Sequence, residues 1–594
     1  AMTTAELRAL STTQIDALSA EQVSAIATAG IAALSTTQVV ALSTDDIGGL
    51  TTAQVAALTS RQLASLEIVD LQTLNGEQIA ALKSTQVAGL GTTQIEALSE
   101  DQVGALSTSA IRALSVAQVA ALSSDQMNAW GDTQMKALST MVVASLSTAD
   151  IAALEPDRLD ALSSTQLAAL TTLQVQALST GQIESLSTTT IRALSSKAIA
   201  ALSTEQLQAL TEEQMRVLET SDVRALSSSQ IAALSSDQIA ALSTNAIAAM
   251  TSSQMAGLSA EDIGALTTAQ MAALTKTQIA GLTATTLQAF SADQVHALTA
   301  TQMQGLTTAQ LSALSTDQVA ALSSAAVAVM STAQVLGLST DQLTSLTEEQ
   351  VRAINTKSLA ALTTDDIGVL TLDQVGALTS TQVAALGTTQ LQALSTDQVQ
   401  ALSVSAIRGL TTKEVAALTL AQLGAFTDEQ MAALTTTEVR AFSTVQLQAL
   451  ETDQLASLST QAIQALSTIQ FQALTSAQMQ ALTTDQIRVL TTQDMRALTT
   501  DDLQVLVSEQ IATLGSTQVL ALGSAQIAAF TTDQIQALST SVIHALTTKE
   551  VSAMSAAQLG ALTSDQAAAL STTYIASLTT VQMAAMSTEQ LAEL

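Results

Sequence analysis

One eight-residue pattern repeats without insertion or deletion from residue 2 to residue 594, giving 74 repeats. Residues 34–41, Leu-Ser-Thr-Thr-Gln-Val-Val-Ala, are a typical repeat. With the leading Leu numbered 0, positions 0 and +5 are large and apolar, and position +7 is small. Position +1 is usually Ser or Thr, and position +4 is usually Gln. A short, unbroken repeat of this kind predicts a solenoid in which each repeat contacts only its near neighbours.

The order of residues within the repeat is typical of the start of a helix. A Ser or Thr hydroxyl accepts a hydrogen bond from the N–H three residues later, and Gln at that later position reaches back to the N–H of the cap. The apolar residues at 0 and +5 then form a hydrophobic staple. In the repeats that begin at 34 and 314, the predicted caps are Ser35, Gln38, Ser315 and Gln318, and the predicted core residues are Leu34, Val39, Leu314 and Val319.

Each repeat therefore predicts a capped helix of about six residues, roughly one and a half turns, followed by a corner. The expected fold class is all-α: a single elongated α-solenoid that runs through residues 1–594 as one domain. The sequence leaves open whether two, three or four repeats make one superhelical turn. With layers about 8–10 Å apart, three repeats per turn would give a rod of roughly 220 Å, and two would give roughly 350 Å.

Two other architectures fit the sequence less well. A continuous α-helix would carry a cluster of cap-forming Ser and Thr residues every eight positions, which disfavours it. A β-solenoid would need alternation with a period of two and turn glycines, whereas this chain has only 22 Gly in 594 residues. The short capped helix is the interpretation that uses every position of the repeat.

Charge and composition restrict the classes of partner. The formal net charge of −32 argues against nucleic acid. Polar residues return every eight positions, so we expect no membrane insertion. Most acidic residues fall in the first helical turn, and 11 of the 19 basic residues fall at +6, as the helix dipole favours. The chain has no cysteine, which excludes disulfides and thiolate metal sites.

No catalytic motif is present, and we predict no enzyme, no cofactor and no catalytic or metal-binding residues. His296 and His544 both lie at +6, far apart in the chain, and are expected on the surface. Acids at +3, such as Asp101, Asp125 and Asp317, could align between coils and bind Ca²⁺, although the Gly and Asp spacing of the calcium-binding nonapeptide is missing. Rows of Ser and Thr could bind ice, but helix capping explains the same residues.

A few repeats depart from the pattern. The single Trp, Trp130, occupies position 0, and the single Pro, Pro156, falls at the first helical position, where a missing N–H costs little. Neutral drift in a tolerant array explains such departures. The alternative is that one of them docks a partner, and Trp130 is the best candidate for that role.

The motif L-S-T-x-Q-[IV]-x-A, as at residues 314–321, resembles octapeptide low-complexity tracts of some very large bacterial proteins. The resemblance covers the whole chain. It implies a secreted or surface-exposed bacterial protein, and some proteins with such tracts are labelled as hook-length control proteins. The local motif is also similar to the short capped helices of armadillo-like superhelices, which implies a fold and no particular role.

These features together predict a structural protein: a rod forming an extracellular stalk, a surface fibre or a filament in a bacterium. The alternatives are a solenoid binding scaffold or adhesin repeat region, and a molecular ruler of a secretion or flagellar system. Self-association, end-to-end or lateral, is the expected partnership. Because solenoids usually carry polar terminal caps and none is evident here, we expect a segment of a longer protein or a polymerising one.

Overall fold

The computed structural model describes residues 2–594, in which every regular element is an α-helix. There are 74 helices, one for each repeat, from α1 (Thr4–Ala9) to α74 (Thr588–Glu593). Each helix begins at position +2, so that the nth helix begins at residue 8n − 4, and each has four, five or six residues. The prediction of an all-α solenoid built from short helices is confirmed.

Two consecutive extended residues form the corner between helices. After α4 (Thr28–Ala33), Leu34 has φ −64° and ψ 145°, and Ser35, which caps α5 (Thr36–Val40), has φ −73° and ψ 159°. No residue in the range 2–594 has a positive φ. Because these dihedrals are open to all L-amino acids, a corner needs no glycine, and this explains how the corners between 74 helices coexist with so few glycines.

The chain divides into two compact halves, Ala1–Ala297 and Leu298–Leu594. Within each half, a helix packs against the third helix before it and the third helix after it. In the N-terminal half α1 contacts α4, and in the C-terminal half α40 (Thr316–Ala321) contacts α43 (Thr340–Thr344). One turn of the coil therefore contains three repeats, or 24 residues, which decides a question that the sequence left open.

The apolar positions of the repeat form the interior of the coil. Leu34 and Leu314, at position 0, are each 4% exposed, and Val39 and Val319, at position +5, are fully buried. The small residue at +7 lies against the +2 residue of the preceding coil: a Cβ added to Gly89 would come within 3.0 Å of the Ser60 Cβ. Large side chains thus fill the coil, and small ones set the distance between coils.

Candidate functional site

Most of the helices are capped by one reciprocal pair of side chains, as α5 is. The Ser35 hydroxyl accepts a hydrogen bond from the Gln38 N–H at 3.2 Å, and the Gln38 Oε1 accepts one from the Ser35 N–H at 2.9 Å. The corresponding distances for Ser315 and Gln318 are 3.1 and 3.0 Å. These bonds satisfy backbone donors that the first turn of a helix leaves without partners.

The same glutamine makes a second set of bonds between coils. The Gln38 Nε2 donates to the carbonyl oxygens of Leu7 at 2.9 Å and Leu10 at 2.8 Å, at the end of α1, four repeats earlier. The Gln350 Nε2 donates likewise to Val319 at 2.9 Å and Leu322 at 2.6 Å. One amide therefore caps the N-terminus of its own helix and the C-terminus of another. We call the side chains at +4 that make both sets of bonds the glutamine network.

The glutamine network explains why Gln is preferred over Glu at +4, which the capping box alone does not explain. A Glu at +4 accepts the cap N–H as well as a Gln does, yet only Glu6, Glu414, Glu438 and Glu550 take that position. An ionised carboxylate has no proton to donate to the carbonyl oxygens of the helix four repeats earlier, whereas an amide has two. The preference for Gln over Glu at +4 is the sequence signal that a buried hydrogen-bond donor is needed there. Helix capping alone does not account for this preference.

An ionised aspartate at +4 also has no proton to donate to those carbonyl oxygens, and some of the aspartates accept a hydrogen bond from another coil instead. The Asp222 Oδ1 accepts a hydrogen bond from the Ser196 hydroxyl at 2.7 Å, and the Asp262 Oδ1 accepts one from the Ser236 hydroxyl at 2.9 Å. In both cases the donor is at +2 of the helix three repeats earlier. The hydroxyl supplies the proton that the carboxylate lacks, so coils remain bonded to each other at these repeats.

Burial changes the acidity of two carboxyl groups at +4. Removal from water raises the pKa of Asp70, and the neighbouring Glu67 carboxylate adds to the rise, against the opposing hydrogen bond from Thr44. Burial likewise raises the pKa of Glu414, which is 3% exposed, against the opposing hydrogen bonds from Thr411. Both groups hold their protons more tightly than in the unfolded chain.

One repeat, on the coil after Trp130, has an arginine in place of the glutamine. Arg158, at +4 of α20 (Pro156–Asp160), donates from Nη1 to the Trp130 carbonyl oxygen and lies 3.9 Å from the Asp132 carboxylate. Trp130 itself has no exposed surface, and its indole N–H donates to the Val103 carbonyl oxygen at 3.2 Å. The alternative that Trp130 docks a partner is therefore wrong, because a ring in the core presents nothing to bind.

The other side chains considered for chemistry lie on the outer face. His296 and His544 are exposed, and the His544 Nδ1 lies 3.1 Å from the Ala569 carbonyl oxygen. Asp101, Asp125 and Asp317 are exposed at the first turns of separate helices. Among residues 2–594, no group of three or more His, Cys, Asp or Glu side chains is arranged to hold a metal ion. None of the helices in this range has the length and hydropathy needed to cross a membrane.

Shallow grooves follow the corners of the coil. One is lined by Glu96 and Glu100, another by Arg8 and Arg61, and a third, of about 460 Å³, by Arg440 and its neighbours. Each lies where the corner of one coil meets the first turn of the next. The grooves share the same arrangement of backbone and differ in their charge. The charge of each groove depends on its side chains at +2, +3 and +6.

Comparison with known proteins identifies the repeat. The family model described as the ALTTAQ repeat matches the chain over about three quarters of its length. The matched stretches are residues 1–28, 23–60, 63–100, 100–130, 151–188, 180–212, 188–220, 215–252, 247–276, 348–380, 375–404, 405–436, 428–460, 448–484, 508–540 and 543–572.

Comparison beyond the family model adds little. No curated protein matches the sequence. A solved structure described as "Structure of APUM23-GGAAUUGACGG" is similar at 11% identity, over 82% of this chain and 94% of that chain. Its TM-score is 0.12, and a similarity at that level carries no argument about this protein.

Proposed function

The chain belongs to the ALTTAQ repeat family, and from that premise we propose that it is a non-catalytic structural protein. We propose a single continuous solenoid that forms a stalk, a surface fibre or a filament. The observation that carries this proposal is the glutamine network: bonds such as those from Gln38 to Leu7 and from Gln350 to Val319 join successive coils inside each half. A scaffold bonded along its axis at about two thirds of its repeats, those with Gln at +4, is suited to bearing load along that axis.

The surrounding chemistry supports the same proposal. An array in which each coil supports the next accumulates stability from nearest-neighbour contacts, so it extends without needing a globular core. The net charge of −32 favours solubility and repels phosphate backbones. We propose that nucleic acid is not a partner, and that copies of the chain associate end-to-end or laterally.

For the location we propose the surface or exterior of a bacterial cell. The support is the resemblance of residues 314–321 to octapeptide tracts of secreted bacterial proteins, together with a surface rich in Ser, Thr and Asp. Detection of the protein in washed-cell surface fractions or culture medium is expected. Detection only in the cytoplasm would contradict the proposed location and leave the structural role to be tested separately.

Electron microscopy of the purified full chain tests the structural role. We expect thin, unbranched particles of uniform width, each coil adding about 8–10 Å to the length. A variant that lacks one complete coil, residues 442–465, is a matched control: it should have the same width and be shorter by one coil. Compact particles whose dimensions do not follow the number of repeats would contradict the proposal.

A further inference from the structure

Three exposed apolar side chains lie on successive coils of the C-terminal half. Leu420 on α53 (Leu420–Gly424) is 46% exposed, Val445 on α56 (Thr444–Gln448) is 58% exposed, and Ile469 on α59 (Thr468–Gln472) is 71% exposed. Most other exposed apolar residues of the chain stand alone, which is ordinary for a protein surface. We call these three residues the apolar strip.

The register of the coil places the three side chains next to one another. On the same edge, the Gln493 Nε2 donates to the Thr468 hydroxyl at 3.0 Å, which shows that the residue at +3 lies beside the +2 residue of the helix three repeats earlier. Leu420 and Val445 stand in that relation, 25 residues apart. Val445 and Ile469 are 24 residues apart, at the same position of adjacent coils. The strip therefore runs along the axis across three coils.

Acidic side chains occupy the same edge on both sides of the strip. At position +3, in steps of one coil, Glu349, Asp373 and Asp397 precede it, and all three are exposed. Gln493 and the two coils after it carry no charge at this position, and the exposed Asp565 and Glu589 then follow. Along this edge the surface thus changes from acidic to apolar, then to neutral polar, and back to acidic.

A groove of about 460 Å³ opens beside Ile469. Its rim includes Arg440, Gln464 and Gln493, which supply side-chain hydrogen-bond donors and acceptors next to the apolar surface. The one carboxylate in the groove, Asp494, already accepts the N–H and hydroxyl of Thr491 at 2.8 and 2.7 Å. The groove therefore combines an apolar wall with polar side chains on its rim, as protein-binding surfaces commonly do.

We propose that the apolar strip is a docking surface for a protein segment that carries aliphatic side chains at its centre and Lys or Arg residues towards its ends. Burial of the strip supplies the affinity, and the acidic side chains on either side attract and orient the basic ends. A second copy of this chain fits less well, because its own acidic edge would meet Asp397 and Asp565. The surface does not depend on the structural role proposed above.

A synthetic peptide tests this inference on the full chain. The probe is a fluorescent 24-residue peptide with Leu and Ile at its centre and three Lys residues at each end. The double variant V445T/I469T carries Thr, a common residue at +3, so the helices are retained, as circular dichroism verifies. We expect the double variant to bind the probe at least about ten-fold more weakly than the wild type, measured by fluorescence anisotropy.

Two controls separate the contributions of the surface. L173T removes an apolar side chain that is 67% exposed in the N-terminal half, and it should bind as the wild type does. A probe with Glu in place of every Lys should bind at least about ten-fold more weakly, and NaCl should weaken binding of the Lys probe. Equal binding of the Lys probe by V445T/I469T and wild type would overturn the inference. Equal binding of the Lys probe and the Glu probe by the wild type would also overturn it. So would a wild-type dimer, detected by sedimentation, that V445T/I469T abolishes.

Discussion

At the residue scale, the side chain at +4 determines how coils are joined. Gln, Asp, Glu and Arg all occur there, but only an amide both accepts from the N–H of its own cap residue and donates to carbonyl oxygens of the preceding coil, as Gln38 does. Buried polar groups are stabilising when every donor and acceptor is satisfied and costly when one is not. The repeat therefore places its most consequential polar residue inside the coil and leaves most of its charged residues outside.

Glu414 is the position where this chemistry depends on pH. By the spacing that Gln38 shows, a glutamine at 414 would donate to the carbonyl oxygens of Val383 and Leu386. A carboxyl group can donate to them only when it is protonated. Burial raises the pKa of Glu414 above its ordinary value of 4.5, so the folded chain binds the proton more tightly than the unfolded chain. The stability contributed by protonation is present below pH 4.5 and is lost as the pH rises through the folded-state pKa.

The variant E414Q should therefore be more stable than the wild type at neutral pH, by about 1–2 kcal/mol, and should lose that advantage near pH 4. Hydrogen exchange of the amides in residues 380–390, measured by mass spectrometry at both pH values, reports the difference locally. E429Q, at an exposed position, is the control and should change nothing at either pH. The same gain for E414Q at both pH values would show that protonation is not involved.

At the element scale, the start and length of each helix could be predicted from the sequence, whereas the hydrogen bonds that join helices of different coils could not. Ser35 and Gln38 lie within one repeat, so the signal for the start of α5 is local. The bonds from Gln38 to Leu7 and Leu10 span 31 and 28 residues. They exist only once three repeats close a turn, and no pattern within eight residues specifies that closure. For the same reason the number of repeats per turn was left open.

The spacing of elements depends on small residues at particular places. At Gly409, after α51 (Val404–Ile407), an added Cβ would lie 2.1 Å from the Ser380 carbonyl oxygen of the preceding coil. G409A should thus force two backbones apart and lower the free energy of unfolding by about 1–3 kcal/mol. Urea denaturation, or hydrogen exchange across residues 378–410, measures the loss.

Gly424, the last residue of α53, provides the matched control for G409A. A Cβ added there meets nothing within 4 Å, and alanine is a better helix former than glycine by up to about 1 kcal/mol. G424A should therefore be neutral or slightly stabilising. Equal destabilisation by the two variants would show that the close approach at Ser380 does not limit the packing.

At the scale of the whole molecule, charge is distributed in a way that works against stability. Acids recur at +3 in steps of 24 residues, as in Glu349, Asp373 and Asp397, and this repeat spacing stacks them one coil above another. Coils about 8–10 Å apart lie within the Debye length of dilute buffer. Like charges in such a column repel, and the net charge of −32 has the same effect over the chain.

The midpoint of thermal unfolding should consequently rise between about 0.01 and 0.5 M NaCl, as screening shortens the Debye length from roughly 30 Å to less than 5 Å. Scanning calorimetry of the full chain measures it. The variant D373N/D397N removes two stacked charges and should exceed the wild type in stability at low salt, with the difference shrinking at high salt. A midpoint that is constant or falls with added NaCl would contradict the stacking of charge.

The variant Q350E tests the central claim, that one amide joins helices four repeats apart. The Gln350 Oε1 accepts from the Thr347 N–H at 2.8 Å, and its Nε2 donates to Val319 and Leu322, at the end of α40. Glutamate at 350 keeps the bond from the Thr347 N–H and loses the bonds to the Val319 and Leu322 carbonyl oxygens. Hydrogen exchange by mass spectrometry should show amides of residues 316–323 exchanging about ten-fold faster or more in Q350E, whereas T347A should affect α44 (Glu348–Ala353) alone. Faster exchange in Q350E confined to α44, with residues 316–323 unchanged, would contradict the account.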